Sequence, residues 1–570
     1  MDQGAPLDQR LDRRVFLKHM TAITAAAAAG VATLPPTRAV ASPPRALGPI
    51  RLPDPRTIQT TAVEELTLAE AAALIRIGEL SPVDLVEAYL GRIDLYDGVL
   101  MAFNKVTGEA ALERARTLTN GELGGPLHGV PLAVKDNFYT AGVLTTANSH
   151  IFADFVPRFD ATAWARLHDS GAILLGKTQM GPLATSRATT PDGDRTTTNA
   201  WAPFEPGVSP GGSSSGTATA VAARMAAGGT GTQTGGSITG PSQAQALTGL
   251  KPTMGRVSLH GIIPLTYTRD HPGPLTRNAM DAAIMLQVMA GPDPADPRTH
   301  GQPELPDLVR AATPFELRGR THVRWGTTIG VVPGYLDEPK APSAQDLQQM
   351  DEQSRQQRQR SHRHEVASIA FRHSMLDGFR EVGARVVEVE MPEDWETLTS
   401  SAFNNVRLPE RSEPFLRHLK EDVRLFGVSL SPWINGLLLS GTEYLRGQRA
   451  KLLLLERVLD RLFSQCDVVV QTQPVPFDMI GLPLAAFPIG FESTSSGMDL
   501  PVGGMLGGQP YAEDRLLSLV AAYQVVTDWH RRRPADPERQ GSAGAPDSLD
   551  GGVPFSRGRM SLDAVMEEGE

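Results

Sequence analysis

Lys135, Ser213 and Ser237 are the residues of this 570-residue chain whose types and settings suit bond-making chemistry. Lys135 closes an apolar run, Val130-Pro131-Leu132-Ala133-Val134, where a partly desolvated ammonium has its pKa drawn toward neutrality. Ser213 lies in the loop Gly211-Gly212-Ser213-Ser214-Ser215-Gly216, and Ser237 ends a second glycine-rich turn, Gly231-Thr232-Gln233-Thr234-Gly235-Gly236-Ser237-Ile238. A serine hydroxyl becomes a competent nucleophile when a base removes its proton, and a neutral amine acting through a second hydroxyl is such a base. The backbone of Thr234, Gly235 and Gly236 turns tightly enough for successive N–H groups to converge on an oxyanion. This is a kit for acyl transfer without histidine. Each piece also has a plainer reading: a surface lysine paired with Asp136, a flexible Gly/Ser linker, and a serine capping the next helix. The helix-forming run Thr217–Ala227 weighs against the linker, because it anchors the loop.

Other motifs fail on their context. Gly171-Ala172-Ile173-Leu174-Leu175-Gly176-Lys177-Thr178 fits the phosphate-loop pattern, yet its variable positions are the strand itself, where such a loop needs them between strand and helix. Gly212-Ser213-Ser214-Ser215-Gly216 fits a nucleophile elbow, with Ser214 as nucleophile and a base such as His260. Pro203, Pro206 and Pro210 stand where the elbow needs an apolar strand. His362 and His364 have no third metal ligand at a sensible spacing. Cys466, the sole cysteine, excludes an intrachain disulfide and reads as core, and Met479 and Met505 read as core or pocket wall.

The elements that must position the three residues read as α/β, a central twisted mixed sheet covered by helices. Strands are predicted at Val130–Val134, Ala172–Leu175, Val386–Val389 and Asp467–Val470. Helices are predicted at Ala218–Ala227, Met280–Met289, Met375–Ala384 and Lys451–Phe463, with a final helix within 507–529. Thr67 with Glu70 forms a capping box, and Ser81-Pro82-Val83-Asp84 starts a helix running to about Asp97. Residues 337–365 are polar, and read as a solvated helix or an inserted arm, a polar insertion on the domain spanning 61–534. A net charge of -10 argues against a nucleic-acid surface. Residues 1–41 carry Arg13-Arg14-Val15-Phe16-Leu17-Lys18, an alanine-rich apolar stretch and Ala39-Val40-Ala41, the order of a signal peptide resembling the twin-arginine type. A flexible lead-in (42–60) and a disordered tail (535–570) are expected to flank the domain.

The chain resembles the amidase signature family of Ser–cis-Ser–Lys hydrolases. The likeness rests on the order of Lys135, Ser213 and Ser237 and on their flanks. These are Pro126-Leu127-His128-Gly129-Val130-Pro131, Gly249-Leu250-Lys251-Pro252-Thr253, Gly261-Ile262-Ile263-Pro264-Leu265, Pro272-Gly273-Pro274-Leu275-Thr276-Arg277 and Gly481-Leu482-Pro483. The Gly-Gly-Ser-Ser-Ser-Gly form is similar to the peptide-amidase branch. The resemblance implies a cis peptide bond before Ser213 and a triad of nucleophile Ser237, relay Ser213 and base Lys135. It also implies an oxyanion backbone at Thr234, Gly235 and Gly236, with Ser214 supporting the relay by hydrogen bonding. Many family members carry Asp where this chain has Gln233 and Arg where it has Thr239, which disfavours small acidic amides as substrates.

The function expected is hydrolysis of a carboxylic amide to acid and amine through an acyl-Ser237 ester, by an exported enzyme. The expected partner is a small-molecule or peptide amide. No metal or organic cofactor is implied, no nucleic acid, and no stable membrane anchor once the signal is removed. The rivals are an esterase or carbamate hydrolase on the same residues, a Gln-tRNA amidotransferase-like subunit, and a non-catalytic binding protein on this fold.

Overall fold

The computed structural model describes residues 50–59, 62–471, 473–494 and 497–538. The expected signal segment, residues 42–49 and 60 of the lead-in, and the tail from 539 onward lie outside the described residues. In chain order the strands are β1 (Phe103–Val106), β2 (Pro131–Lys135), β3 (Ile173–Thr178), β4 (Gly228–Gln233), β5 (Thr248–Lys251), β6 (His271–Thr276), β7 (Phe315–Leu317), β8 (Arg320–His322), β9 (Thr328–Val331), β10 (Arg385–Glu388), β11 (Val468–Val470), β12 (Leu484–Ser493) and β13 (Asp499–Gly508). All but the β7–β8 hairpin join one eleven-stranded mixed sheet, ordered β1-β3-β2-β4-β6-β5-β12-β13-β11-β9-β10. Helices cover it, as the α/β reading requires.

Strand β2 pairs in parallel with β3 on one side and β4 on the other. All five of its residues are buried, which explains its unbroken apolar run. Pro131, lacking an N–H, is tolerated as its first residue. Strand β3 runs on through Gly176, Lys177 and Thr178, so the lysine of the phosphate-loop pattern is a buried sheet residue.

Both N-terminal caps form. Thr67 and Glu70 close a capping box on Leu68–Arg76, and Ser81 caps Pro82–Leu100. The second helix outruns its expected end and stops where Met101 adopts a φ of 48°. The helix after the Gly/Ser loop is shorter than predicted, Ser215–Ala222 in place of a run to Ala227. Arg224 there takes a φ of 58° and the chain turns at once into β4. Of the two readings of the polar stretch, the solvated helix is the one found over 352–365, as the first half of a single longer helix, Glu352–Glu381. Its second half buries Met375, Leu376 and Phe379, the last against Phe487 and Tyr523. In the expected lead-in, Ile50, Leu52 and Ile58 pack against the main core. A separate apolar cluster joins Phe415, Phe426 and Trp433 to Met180, Leu183, Ile263 and Leu265. It thereby ties the 415–433 helices to segments that bracket the Ser213 loop.

Candidate active site

Lys135 ends β2 with its side chain fully buried, 0% exposed. Its Nζ lies 2.8 Å from Ser213 Oγ, 2.8 Å from Thr232 Oγ1 and 3.3 Å from the Thr232 carbonyl oxygen. In the neutral form, two N–H bonds directed at Thr232 would leave the nitrogen lone pair for the Ser213 hydroxyl; in the ammonium form, all three contacts are N–H donations. Burial brings the Lys135 pKa down from 10.5 to about 7, against a smaller opposing pull from Asp270. The predicted alternative, pairing with Asp136, does not occur. Successive residues of a strand face opposite ways, and Asp136 meets Lys177 Nζ at 3.1 Å while accepting from Asn104 and Thr146.

Ser213 follows a cis Gly212–Ser213 peptide bond. The loop is no free linker. A Cβ on Gly212 would stand 2.5 Å from the Ser186 carbonyl oxygen and 2.6 Å from the Arg187 backbone. Gly181 N–H donates to the Ser213 carbonyl at 3.1 Å. Ser214 does not support the relay by hydrogen bonding: its hydroxyl is buried without a partner, facing the surface of β4 at Gly231. Ser215 takes the supporting part, donating to Gly211 O at 2.6 Å and accepting Ala188 N–H at 3.0 Å.

Ser237 stands on the turn between β4 and the short helix Thr239–Ala244. It is half-buried, and its hydroxyl makes no hydrogen bond to another described residue. The structure thus joins Lys135 to Ser213 directly and places Ser237 five residues beyond Thr232, the residue that holds Lys135. Of the three expected oxyanion amides, Gly236 is already engaged, donating to Asp478 Oδ2 at 2.9 Å. That leaves Thr234 and Gly235. Thr234 is itself pinned, its hydroxyl bonded to the buried Asp270, whose Oδ2 accepts the Leu265 and Thr266 amides at 2.7 and 3.0 Å.

Sequence reasoning missed Thr232, Asp270 and Asp478. Thr232 carried a signal: it follows Thr230 at strand spacing, and Lys135 N–H donates to Thr230 Oγ1 at 3.2 Å. Asp270 and Asp478 arrive from distant segments with no local pattern to mark them. Among the described residues no group of His, Cys, Asp and Glu is arranged to hold a metal ion, and no helix is long and apolar enough to cross a membrane.

Comparison with known proteins gives a consistent set of likenesses. The sequence pattern of the family described as "Amidase" matches residues 84–474. A protein of Pseudomonas putida named "Amidase" is 32% identical over 504 residues, covering 83% of this chain and 98% of that protein. A glutamyl-tRNA(Gln) amidotransferase subunit of Methylococcus capsulatus is 33% identical over 520 residues, covering 82% and 98%. Among solved structures, the native peptide amidase of Stenotrophomonas maltophilia superposes with a TM-score of 0.66 at 28% identity, over 83% of this chain and 98% of that one.

Proposed function

We propose the following course for this chain, which belongs to the amidase signature family and is a serine hydrolase acting on amides. The neutral Lys135 amine draws the Ser213 proton as Ser213 draws that of Ser237, whose hydroxyl turns toward it. Ser237 Oγ adds to the amide carbonyl carbon, and the oxyanion is met by the Thr234 and Gly235 amides. The proton held by Lys135 returns through Ser213 to the departing nitrogen, the C–N bond breaks, and the acyl-Ser237 ester remains. Water, deprotonated by the same pair, adds to the ester; collapse releases the acid and restores the Ser237 hydroxyl. The observation that carries this reading is the 2.8 Å contact between Ser213 and a fully buried lysine that has no ion-pair partner among the described residues.

The test is mass-spectrometric mapping of a fluorophosphonate adduct on the purified protein. Label on Ser237, lost together with hydrolysis in Ser237→Ala, is expected. Label on Ser214 overturns the assignment in favour of the elbow. Linear amides, including peptide amides, are the proposed substrates, and turnover on matched amide, ester and carbamate ranks the three. The 33% identity to an amidotransferase component favours ammonia release from glutamine as a second reading, measured by free-glutamine hydrolysis alongside. Export by the twin-arginine route is also proposed. Replacing Arg13 and Arg14 by lysine should retain the protein inside the cell.

A further inference from the structure

A buried polar pair, unused by the hydrolytic course, grips the turn on both sides of Ser237. Gln233 and Asp478 are separated by 245 residues in sequence, and both side chains are fully buried. Gln233 Oε1 accepts the Ile238 and Thr239 amides at 2.9 and 2.8 Å, on the C-terminal side of the nucleophile. Asp478 Oδ2 accepts the Gly236 amide at 2.9 Å, on its N-terminal side. The two side chains are locked together, Gln233 Nε2 donating to Asp478 Oδ1 and Oδ2 at 2.9 and 3.1 Å. Lys251 Nζ lies 3.5 Å behind Asp478 Oδ1 and donates to the Leu482 carbonyl.

The complementarity here has one solution. Because Gln233 Oε1 must face two backbone donors, its amide nitrogen must face an acceptor, and the buried Asp478 carboxylate is that acceptor. With an asparagine at 478, its NH2 group meets a donor whichever way it turns: the Gly236 amide, Gln233 Nε2 or Lys251. With a glutamate at 233, two buried carboxylates meet at about 3 Å and cannot both ionise. A carboxylate at 233 with an amide at 478 satisfies the turn's donors again, and only the 3.5 Å contact of Lys251 goes without its carboxylate, that lysine keeping the Leu482 carbonyl. The relocated carboxylate would take the Ile238 and Thr239 amides and the NH2 group now facing it, while the relocated amide oxygen would take the Gly236 amide.

We propose that Gln233 and Asp478 are a positioning pair that fixes the turn bearing Ser237, setting the direction of its hydroxyl and of the Thr234 and Gly235 amides. The pair acts through the backbone, without touching substrate, and the inference rests on Ser237 being the nucleophile. It assigns a reason to Gln233 at a place where resemblance would put an acid: the acid stands on the opposite wall of the same buried contact.

The experiment is a reciprocal swap. Gln233→Glu and Asp478→Asn singly should each lower kcat by about 10- to 100-fold, the scale of a misdirected buried donor, with KM within about twofold. The double variant Q233E/D478N should recover to within about fivefold of the parent, with strongly non-additive effects. Inhibition by a peptide aldehyde, which forms a tetrahedral adduct on the nucleophile, should weaken in each single variant in step with kcat/KM and return in the double. A purely structural role would lower melting temperature without moving that affinity or splitting kcat from KM. Gln233→Met keeps similar volume without adding repulsion and serves where the carboxylate variants do not fold. A kcat loss at unchanged KM there supports the pair, and an unchanged kcat overturns it. Additive losses in the double variant also overturn it. Should the fluorophosphonate mark another residue, the nucleophile assignment itself falls. If Ser237 is marked at the parent rate in both single variants, only the pairing falls.

Discussion

Replacing Lys135 by methionine separates the catalytic meaning of the buried amine from its structural cost. Methionine keeps an unbranched chain of similar volume but has no proton acceptor of comparable strength, so on the proposed course Ser213 loses its base. General-base catalysis contributes about 10²- to 10⁴-fold, and kcat should fall by that factor. In the parent, with the amine titrating at about 7, kcat/KM on a peptide p-nitroanilide should drop about tenfold per pH unit below that point and level off above it. K135M should lack that acid limb. Stability should move the other way. The lysine pKa is depressed in the native state, so between about 7 and 10.5 the unfolded chain binds more protons and stability rises with pH. Integrated from pH 7 to 9, this is about 2 kcal/mol of pH-dependent stability. It should vanish in K135M, leaving the variant as stable as the parent or more so at pH 7. The assays are pH-rate profiles beside urea melts at pH 7 and 9. A variant that keeps a tenth of the parent rate, or the same acid limb, refutes the assignment of Lys135 as base.

Three further outcomes can be checked independently. Gly212→Ala places a methyl 2.5 Å from the Ser186 carbonyl oxygen, so it should cost at least about 100-fold in kcat/KM through displacement of Ser213, measured on the same amide. Asp97 is buried, which raises its pKa to about 7 despite the Ala102 and Phe103 amides it accepts. Its carboxyl therefore contributes stability that is full below pH 3.8 and lost as pH rises through 7, and Asp97→Asn should flatten that decline in thermal melts. Phe379→Ala empties a site between Phe487 and Tyr523 and should cost about 3–5 kcal/mol in denaturant melts, while kcat at low temperature stays unchanged.

Local chemistry was legible in the sequence wherever a short segment determined its own shape. The caps at Thr67 and Ser81, the apolar run of β2 and the two glycine-rich turns each declare themselves within a few residues. So does the α/β class, from strands alternating with helices. What escaped was whatever depends on which segments meet. Lys135 and Asp136 look like partners on paper, yet the pleat sends them to opposite faces. Ser214 was expected to bond, but its neighbour Ser215 points at the available backbone. The polar stretch 352–365 read as a solvated helix or an arm, but its continuity with the helix expected from Met375 was hidden because that half has no apolar face to bury. Asp478 sits ahead of β12, and nothing near it announces an appointment with a turn 242 residues upstream.

That long separation has a consequence for how the molecule matures on the ribosome. Lys135, Ser213 and Ser237 have all been translated by residue 237, but the wall behind the turn comes only when β12 docks on β5, Leu484 opposite Lys251. A nascent chain halted before that strand carries every reactive group and an unfinished cradle for them. Hydrolytic competence should therefore switch on late and abruptly in synthesis, and a fragment ending near residue 470 should stay inert until a separately made C-terminal piece is added back to it.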